Sequence, residues 1–403
     1  MPPEVELRAF RVEGLALHAH HAEGDWFAAS EDATPTTVHR LAHRFPETPI
    51  PQRVRPATAV DAVPLRALLE RTADATLSLD KQVVRVQIEV QSRLRQTLLV
   101  NTDGAQVLRQ QPLTELRAEV QLRHANGTSA ASAQRAVLGL ADDCTEDLPE
   151  QLARAVVEQA QRLATARFMP TAAYPVVLTS GWGGAWLHEV IGHRLEADVA
   201  AADGQLRLHT MIAPPSVTLI DDGTLVGGRA TATHDDEGTP SARTALIQEG
   251  RCSNWLTDRA HADRLGLPRT GNGRRASYAS PPLPRMTTLT LAPGTETPDA
   301  LIETTRDGLF ARQLGRGSVD LANRTYRVFV REGQRIERGR LTHPVADVWL
   351  EGALDDALHT IDGIATDSVT DLHHGICVKQ GQALPIACSL PTTRLSSIFV
   401  RPS

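Results

Sequence analysis

Hydrophobic and polar positions change their period several times along the chain, and the changes divide it into elements. Over Glu4 to His20 apolar and β-branched positions alternate loosely, which predicts a strand pair. Asp32-Ala33-Thr34-Pro35 reads as a helix start continuing through Val38–Ala42, and Pro46 to Pro56 as a connector. Leu65, Leu68 and Leu69 fall at helical spacing within Val63–Ala73. From Gln82 to Val100 the period becomes two, with Val84, Val86, Ile88 and Val90 on alternate positions, so this stretch is β. Asn101-Thr102-Asp103-Gly104 supplies a turn, and strand resumes near Leu116–Leu122. Asp147 to Arg167 is strongly amphipathic, carries Pro149 in its first turn and stops before Pro170, which predicts a helix.

After Ala172 the pattern is different. Tyr174–Thr179 is a short apolar run suited to a buried strand, Gly181-Trp182-Gly183-Gly184 breaks it, and a helix is expected from Ala185. Beyond Ala213 short strands alternate with Gly, Asp and Pro turns: Val217–Ile220, Ala245–Glu249, Met286–Leu291, Tyr326–Val330, Leu384–Ala387 and Leu395–Val400. The expected fold class is α+β, with an N-terminal two-layer α/β domain over residues 1–171 and a β-rich domain over 172–403. A length of 403 residues suits two domains.

Composition removes some classes of function. The net charge of -6 argues against a nucleic-acid binder, whose face would be basic. No apolar run approaches the ~20 residues that span a bilayer, and the charged N-terminus does not read as a signal peptide. Four cysteines in so long a chain make no disulfide framework, so Cys144, Cys252, Cys377 and Cys388 are expected as thiols in a reducing, cytoplasmic setting.

The chemistry concentrates on His188-Glu189-Val190-Ile191-Gly192-His193. Two imidazoles supply nitrogen ligands for zinc, and a glutamate beside them can take a proton from water. Histidines of such helices usually stand four residues apart, within ~40° of one face. Here they are five apart, which on an ideal helix turns the rings about 140° from each other. A π-bulge or break at Ile191–Gly192 is therefore predicted, with Gly192 tolerating the distortion. Glu196 and Asp198 are candidate acceptors for the ligand imidazoles. A catalytic zinc usually has a third protein ligand. Cys377, after the His373-His374-Gly375 turn, is the best candidate, and His374 competes with it.

At this point the sequence resembles the TldD/PmbA family of metallopeptidases, in its TldD-type, metal-carrying branch. The resemblance is carried by the helix above with its Leu195-Glu196-Ala197-Asp198 tail, by Ile220-Asp221-Asp222-Gly223-Thr224 and by Asp235-Asp236-Glu237-Gly238-Thr239-Pro240. Leu246-Ile247, Gly271-Asn272-Gly273-Arg274-Arg275-Ala276-Ser277-Tyr278 and Pro284-Arg285-Met286-Thr287 follow in the family's order. Cys377, Lys379, Gly381-Gln382, Pro385 and Pro391-Thr392 close the match. It implies zinc (Zn2+) held by His188, His193 and Cys377, with Glu189 as catalytic base. It further implies hydrolysis of unfolded peptides, and a homodimer or a heterodimer with a metal-free TldE/PmbA-type subunit.

The chain departs from the family's pattern in a shortened N-terminal region, a short Val199–Ala213 segment, Arg194 in place of a common glycine, and His374 and Val378 around Cys377. Asp236, Arg274 and Arg275 are candidate substrate contacts, against ion pairing as the simpler role. Two alternatives to hydrolysis stand beside the main reading: a tailoring enzyme for ribosomal peptides using the same metal, and a non-catalytic subunit that presents a peptide to a partner.

Overall fold

The computed structural model describes residues 15–21, 24–30 and 62–403, other than 102 and 126. The helix expected from Asp32 and the connector from Pro46 to Pro56 lie outside the described residues. Strands β1 (Leu15–His21) and β2 (Gly24–Ser30) pair antiparallel; they overlap the end of the strand pair expected over residues 4–20 and carry it on to Ser30, while residues 4–14 of that expectation lie outside the described residues.

The first unit is a three-stranded antiparallel sheet covered on one face by two helices. Helix α1 (Ala62–Leu79) runs six residues past its predicted end. Strands β3 (Val83–Val100) and β4 (Gln106–His124) form one long hairpin, and β5 (Gly127–Val137) adds to β4. Alternate residues Leu116, Ala118, Val120 and Leu122 point under the helices, where they meet Leu152, Val156 and Ala160 of α2 (Leu148–Leu163). That is the period-two pattern meeting the amphipathic stripe. Strand β5 was not expected, because its Ala- and Ser-rich sequence carries little β-propensity.

The second unit holds two six-stranded sheets. In chain order its strands are β6 (Ala172–Leu178), β7 (Leu219–Asp222), β8 (Arg243–Gln248), β9 (Arg251–Cys252), β10 (Gly273–Arg274), β11 (Leu283–Pro284) and β12 (Thr288–Leu291). Then come β13 (Asp307–Asp320), β14 (Thr325–Glu337), β15 (Arg340–Ala353), β16 (Ile361–Ile364), β17 (Val369–Asp371), β18 (Ile376–Lys379), β19 (Gln382–Pro385), β20 (Ala387–Leu390) and β21 (Thr393–Pro402). One sheet runs β15-β14-β13-β6-β21-β16, and a further β15–β21 pairing closes its first five strands into a barrel. The other runs β17-β20-β12-β7-β8-β9.

Between them lies the segment that follows β6. Trp186, Leu187, Val190, Ile191 and Leu195 are all buried and share one core with Leu289 of the open sheet and Leu309 and Tyr326 of the barrel. An element apolar on every side but one belongs inside a core. The expected strand Leu384–Ala387 is two strands, β19 and β20, separated at Ile386. Strands β13 and β15 were missed, because glycines and arginines interrupt the alternation of β13 and Pro344 stands inside β15. No helix among the described residues is long and apolar enough to cross a membrane.

Candidate metal centre

The segment between β6 and Glu196 changes helical type three times. Gly181–Gly184 forms a 3-10 turn, Ala185–Leu187 an α-turn, His188–Gly192 a π-helical turn and His193–Leu195 another 3-10 turn. The amide of His193 donates to the carbonyl of His188, closing a five-residue ring in place of the usual four. The predicted bulge is therefore present. It brings the two imidazole rings face to edge, their centroids 4.7 Å apart at 79°. Gly192 matters for packing as much as for conformation, since a β-carbon there would run into the Met286 sulfur.

Cys377 comes from the opposite side on β18, the strand that follows the His373-His374-Gly375 turn. It pairs with Leu384 of β19 in a short antiparallel hairpin. Two buried arginines hold that hairpin by its backbone. Arg285 donates to the carbonyls of Cys377 (2.8 Å) and Gln382 (3.1 Å), and Arg274 donates to those of Pro385 (2.8 Å) and Met286. Gly375, at φ +117, enters the hairpin where a side chain would strike the Ile386 carbonyl.

The cysteine sulfur lies 3.4 Å from His193 Nε2, and one donor atom from each of His188, His193 and Cys377 falls within 4.8 Å of the others. Zinc bonds of ~2.0–2.3 Å at tetrahedral angles would set a nitrogen–sulfur separation of about 3.5 Å, so this edge has the right length. Borderline-soft donors of the N, N, S type suit zinc. His188 Nδ1 is buried with no hydrogen-bond partner, an unsatisfied polar atom such as a ligand site leaves. The residues present fit a zinc ion.

Electrostatics reinforce the donor set. Burial pushes the Cys377 thiol up, but the adjoining His188 and His193 rings outweigh it and bring it down to about 5. Glu196 accepts from His193 Nδ1 at 2.9 Å, which leaves Nε2 facing the sulfur. Buried as it is, Glu196 is held down to about 2 by His193 and by Lys379, whose ammonium lies 2.8 Å away. Lys379 also meets Asp198 at 2.7 Å. Of the two expected acceptors, then, only Glu196 serves an imidazole. Asp198 pairs with Lys379 instead. Lys379 had not been picked out for this role. Its signal was present: two positions after Cys377 on a strand, it faces the same way.

Glu189, next to the first histidine, lies against the backbone of Gly317 in β13, where a β-carbon would collide with its side chain. The register of β13 shifts between Leu314 and Gly317. His374 stands outside the donor set: its Nδ1 is 3.1 Å from Asp371 and its ring lies 5.3 Å from Trp182. Asp236 is buried in ion pairs with Arg109 and, at 3.7 Å, Arg95, and accepts from the Arg275 amide at 2.9 Å. Asp236 and Arg274 both line a cavity of about 390 Å³ between the β3–β4 hairpin and the second unit. Arg194 is buried, bonded to Asp203, Asp355 and the Leu354 carbonyl.

Comparison with known proteins adds to this geometry. A profile of the PmbA/TldA metallopeptidase C-terminal domain matches residues 171–401, and one of the central domain matches residues 51–164. A metalloprotease TldD homolog of Haemophilus influenzae is 33% identical over 347 residues, covering 84% of this chain and 71% of that protein. One of Buchnera aphidicola subsp. Acyrthosiphon pisum is 28% identical over 415 residues, covering 96% and 86%. A zinc metalloprotease TldD homolog of Saccharolobus solfataricus is 28% identical over 229 residues, covering 56% and 51%. Among solved structures, a protein of Thermotoga maritima described as a modulator of a DNA gyrase superposes with a TM-score of 0.74 at 17% identity, covering 96% of this chain and 88% of that one. TldE from Thermococcus kodakarensis gives 0.69 at 16%, covering 93% and 87%.

Proposed function

This chain belongs to the PmbA/TldD metallopeptidase family, and from that premise we propose that it is a zinc-dependent peptidase acting on unfolded peptides. His188, His193 and Cys377 would hold the ion, and the observation that carries the reading is their convergence from a π-bulge and a distant hairpin. A zinc ion so held polarises a carbonyl and makes water more acidic.

The chain's own residues do the rest. Glu189, joined to the first ligand through the backbone, receives the proton of the attacking water on its carboxylate and delivers it to the departing amine. Glu196 keeps the His193 ring turned with Nε2 inward, and Lys379 keeps Glu196 charged. Buried apolar neighbours of Cys377, Ile386 and Cys388, limit water around the donors and strengthen every charge interaction there. Asp236, Arg274 and Arg275 enter the proposal as part of the wall against which a peptide would lie, their internal contacts fixing its shape. The working division at residues 171/172 leaves every donor in the second domain. A dimer, of this chain with itself or with a metal-free TldE-type subunit, completes the reading.

Glu189→Gln is expected to retain about one zinc per chain and to lose cleavage by at least ~10²-fold. His188→Ala and Cys377→Ala are expected to lose the metal itself. Metal analysis beside a peptide-cleavage assay checks all three. Cleavage by Glu189→Gln at the wild-type rate would remove this base. Intact peptide of slightly altered mass would favour a tailoring reaction instead.

A further inference from the structure

The β3–β4 hairpin carries a row of cations that the proposed chemistry does not use. Arg93 and Arg95 stand two apart on β3, and Arg109 stands on β4 opposite Thr97, so all three project from one face. That face looks into the 390 Å³ cavity, where Arg229 and Arg274 of the second unit also lie. The only carboxylates of the lining are Asp235 and Asp236, and Glu115, just beyond it, pairs with both Arg93 (3.3 Å) and Arg229. Five guanidinium groups thus face three carboxylates. Arg275 and Glu237 alongside cancel each other, so two positive charges stay in excess.

The arrangement also leaves donors to spare. Asp236 is shared between Arg109 and Arg95, and Arg95 has the looser hold, at 3.7 Å from the carboxylate with one further bond of 3.2 Å to the Arg275 carbonyl. The Arg95 side chain is 32% exposed, while Asp236 beneath it is 6% exposed, so the cation reaches toward solvent over a fixed anion. Inside the cavity wall, Arg229 Nε is buried with no partner. Burial, with the charge of Arg285 and Arg95 nearby, lowers Arg274 to about 10, against the opposing effect of Asp236. Five guanidinium groups held this close are eased by any anion that joins them.

The cavity adjoins the candidate centre. Leu384 and Pro385 of its lining pair across the hairpin with Cys377 and Ile376. Arg274 bonds the carbonyl of Met286, whose sulfur packs on Gly192 between the two histidines.

We infer that this cavity is a carboxylate-binding subsite, in which Arg95, backed by Arg93 and Arg109, takes a carboxylate of the peptide substrate. The inference rests on the peptidase reading and narrows it to peptides bearing a free C-terminal or a side-chain carboxylate. An arginine fork matches a carboxylate in two parallel hydrogen bonds.

The test uses the full chain loaded with zinc and carrying Glu189→Gln, so that binding is read without turnover. Three end-labelled peptides differ only in having a free C-terminal acid, a C-terminal amide, or an amide with one internal glutamate. Fluorescence anisotropy should give a Kd about ten-fold tighter for one or both carboxylate peptides than for the neutral amide. The acid arm reports the chain end and the glutamate arm the side chain. Adding Arg95→Gln should bring the acid-to-amide and glutamate-to-amide Kd ratios to about one in protein whose circular dichroism is still that of the folded chain. Equal affinities for all three peptides would overturn the inference, as would a preference that survives in Arg93→Gln/Arg95→Gln. Wild-type protein that cleaves all three peptides at equal kcat/KM sinks the subsite and spares the peptidase. A binding preference with no cleavage of any peptide by wild type does the reverse. No binding of any peptide overturns both.

Discussion

At Cys377 two opposing influences meet, and the sum decides what kind of sulfur the protein presents. Burial alone raises a thiol, as at Cys252, which it pushes up to about 11. At Cys377 the neighbouring imidazoles reverse that and bring the group to about 5, while His193, despite its burial, is raised to about 10 by Glu196 and Cys377. Metal-free protein at neutral pH is therefore expected to carry a thiolate beside an imidazolium. The sign follows from linkage: the folded thiol ionises more readily than the unfolded one, so it adds stability above the unfolded value of ~8.5 and loses it as pH falls through about 5. Ultraviolet titration of chelator-treated protein should show one thiolate disappearing with a midpoint near 5, absent from Cys377→Ala. A midpoint near that of an ordinary thiol would contradict the geometry. At this scale Glu196 was legible in sequence as a partner for a histidine. Asp198 was read the same way and pairs instead with a lysine 181 positions away, which no local pattern records.

Among the elements, the π-bulge is the one whose existence could be argued in advance. Histidines five apart can face one ion only if the helix accommodates an extra residue, and the hydrogen bond from His193 to His188 is that accommodation. What faces the bulge could not be foreseen. Strand β13 approaches Glu189 with a glycine, at a point where its register with β14 slips. Gly317→Ala would place a methyl group where the Glu189 side chain now lies. Zinc content is expected to stay near one per chain while kcat falls roughly 10²-fold, since displacing a base by about 1 Å has that effect. Unchanged kcat in a variant that crystallises with Glu189 in place would exclude a positioning role for Gly317. The element also illustrates why β13 itself escaped detection. Gly315 and Gly317 break the alternation that marks a strand, and the close approach to Glu189 is one reason for such a glycine.

For the molecule as a whole, the donors sit in different layers. The histidines lie on a segment buried between barrel and open sheet, whereas Cys377 rides on a separate two-stranded hairpin held by Arg274 and Arg285. An ion bridging them would tie the hairpin to the core and so favour the folded chain over the unfolded one. At a free-zinc excess of ~100 times Kd, this linkage amounts to ~2.7 kcal/mol. Chelation is expected to lower the melting temperature by several degrees and zinc to restore it, with Cys377→Ala insensitive to both. Calorimetry of the three samples checks it. Equal melting temperatures with and without the ion would separate the hairpin from metal binding.

Local pattern was enough to establish the α+β character, the helix Leu148–Leu163, the long β3–β4 hairpin and the need for a distorted turn between His188 and His193 if both are to face one ion. Periodicity and hydrogen-bond spacing act over a few residues, and a few residues contain that information. Only the tertiary structure decided that a sulfur 184 positions from His193 lies 3.4 Å from its ring, that Lys379 together with the Met286 amide secures Glu196, and that three arginines of a first-unit hairpin face the wall of the second. Those meetings depend on which layers pack together and on the closure of very long loops, whose cost and geometry no local sequence window records.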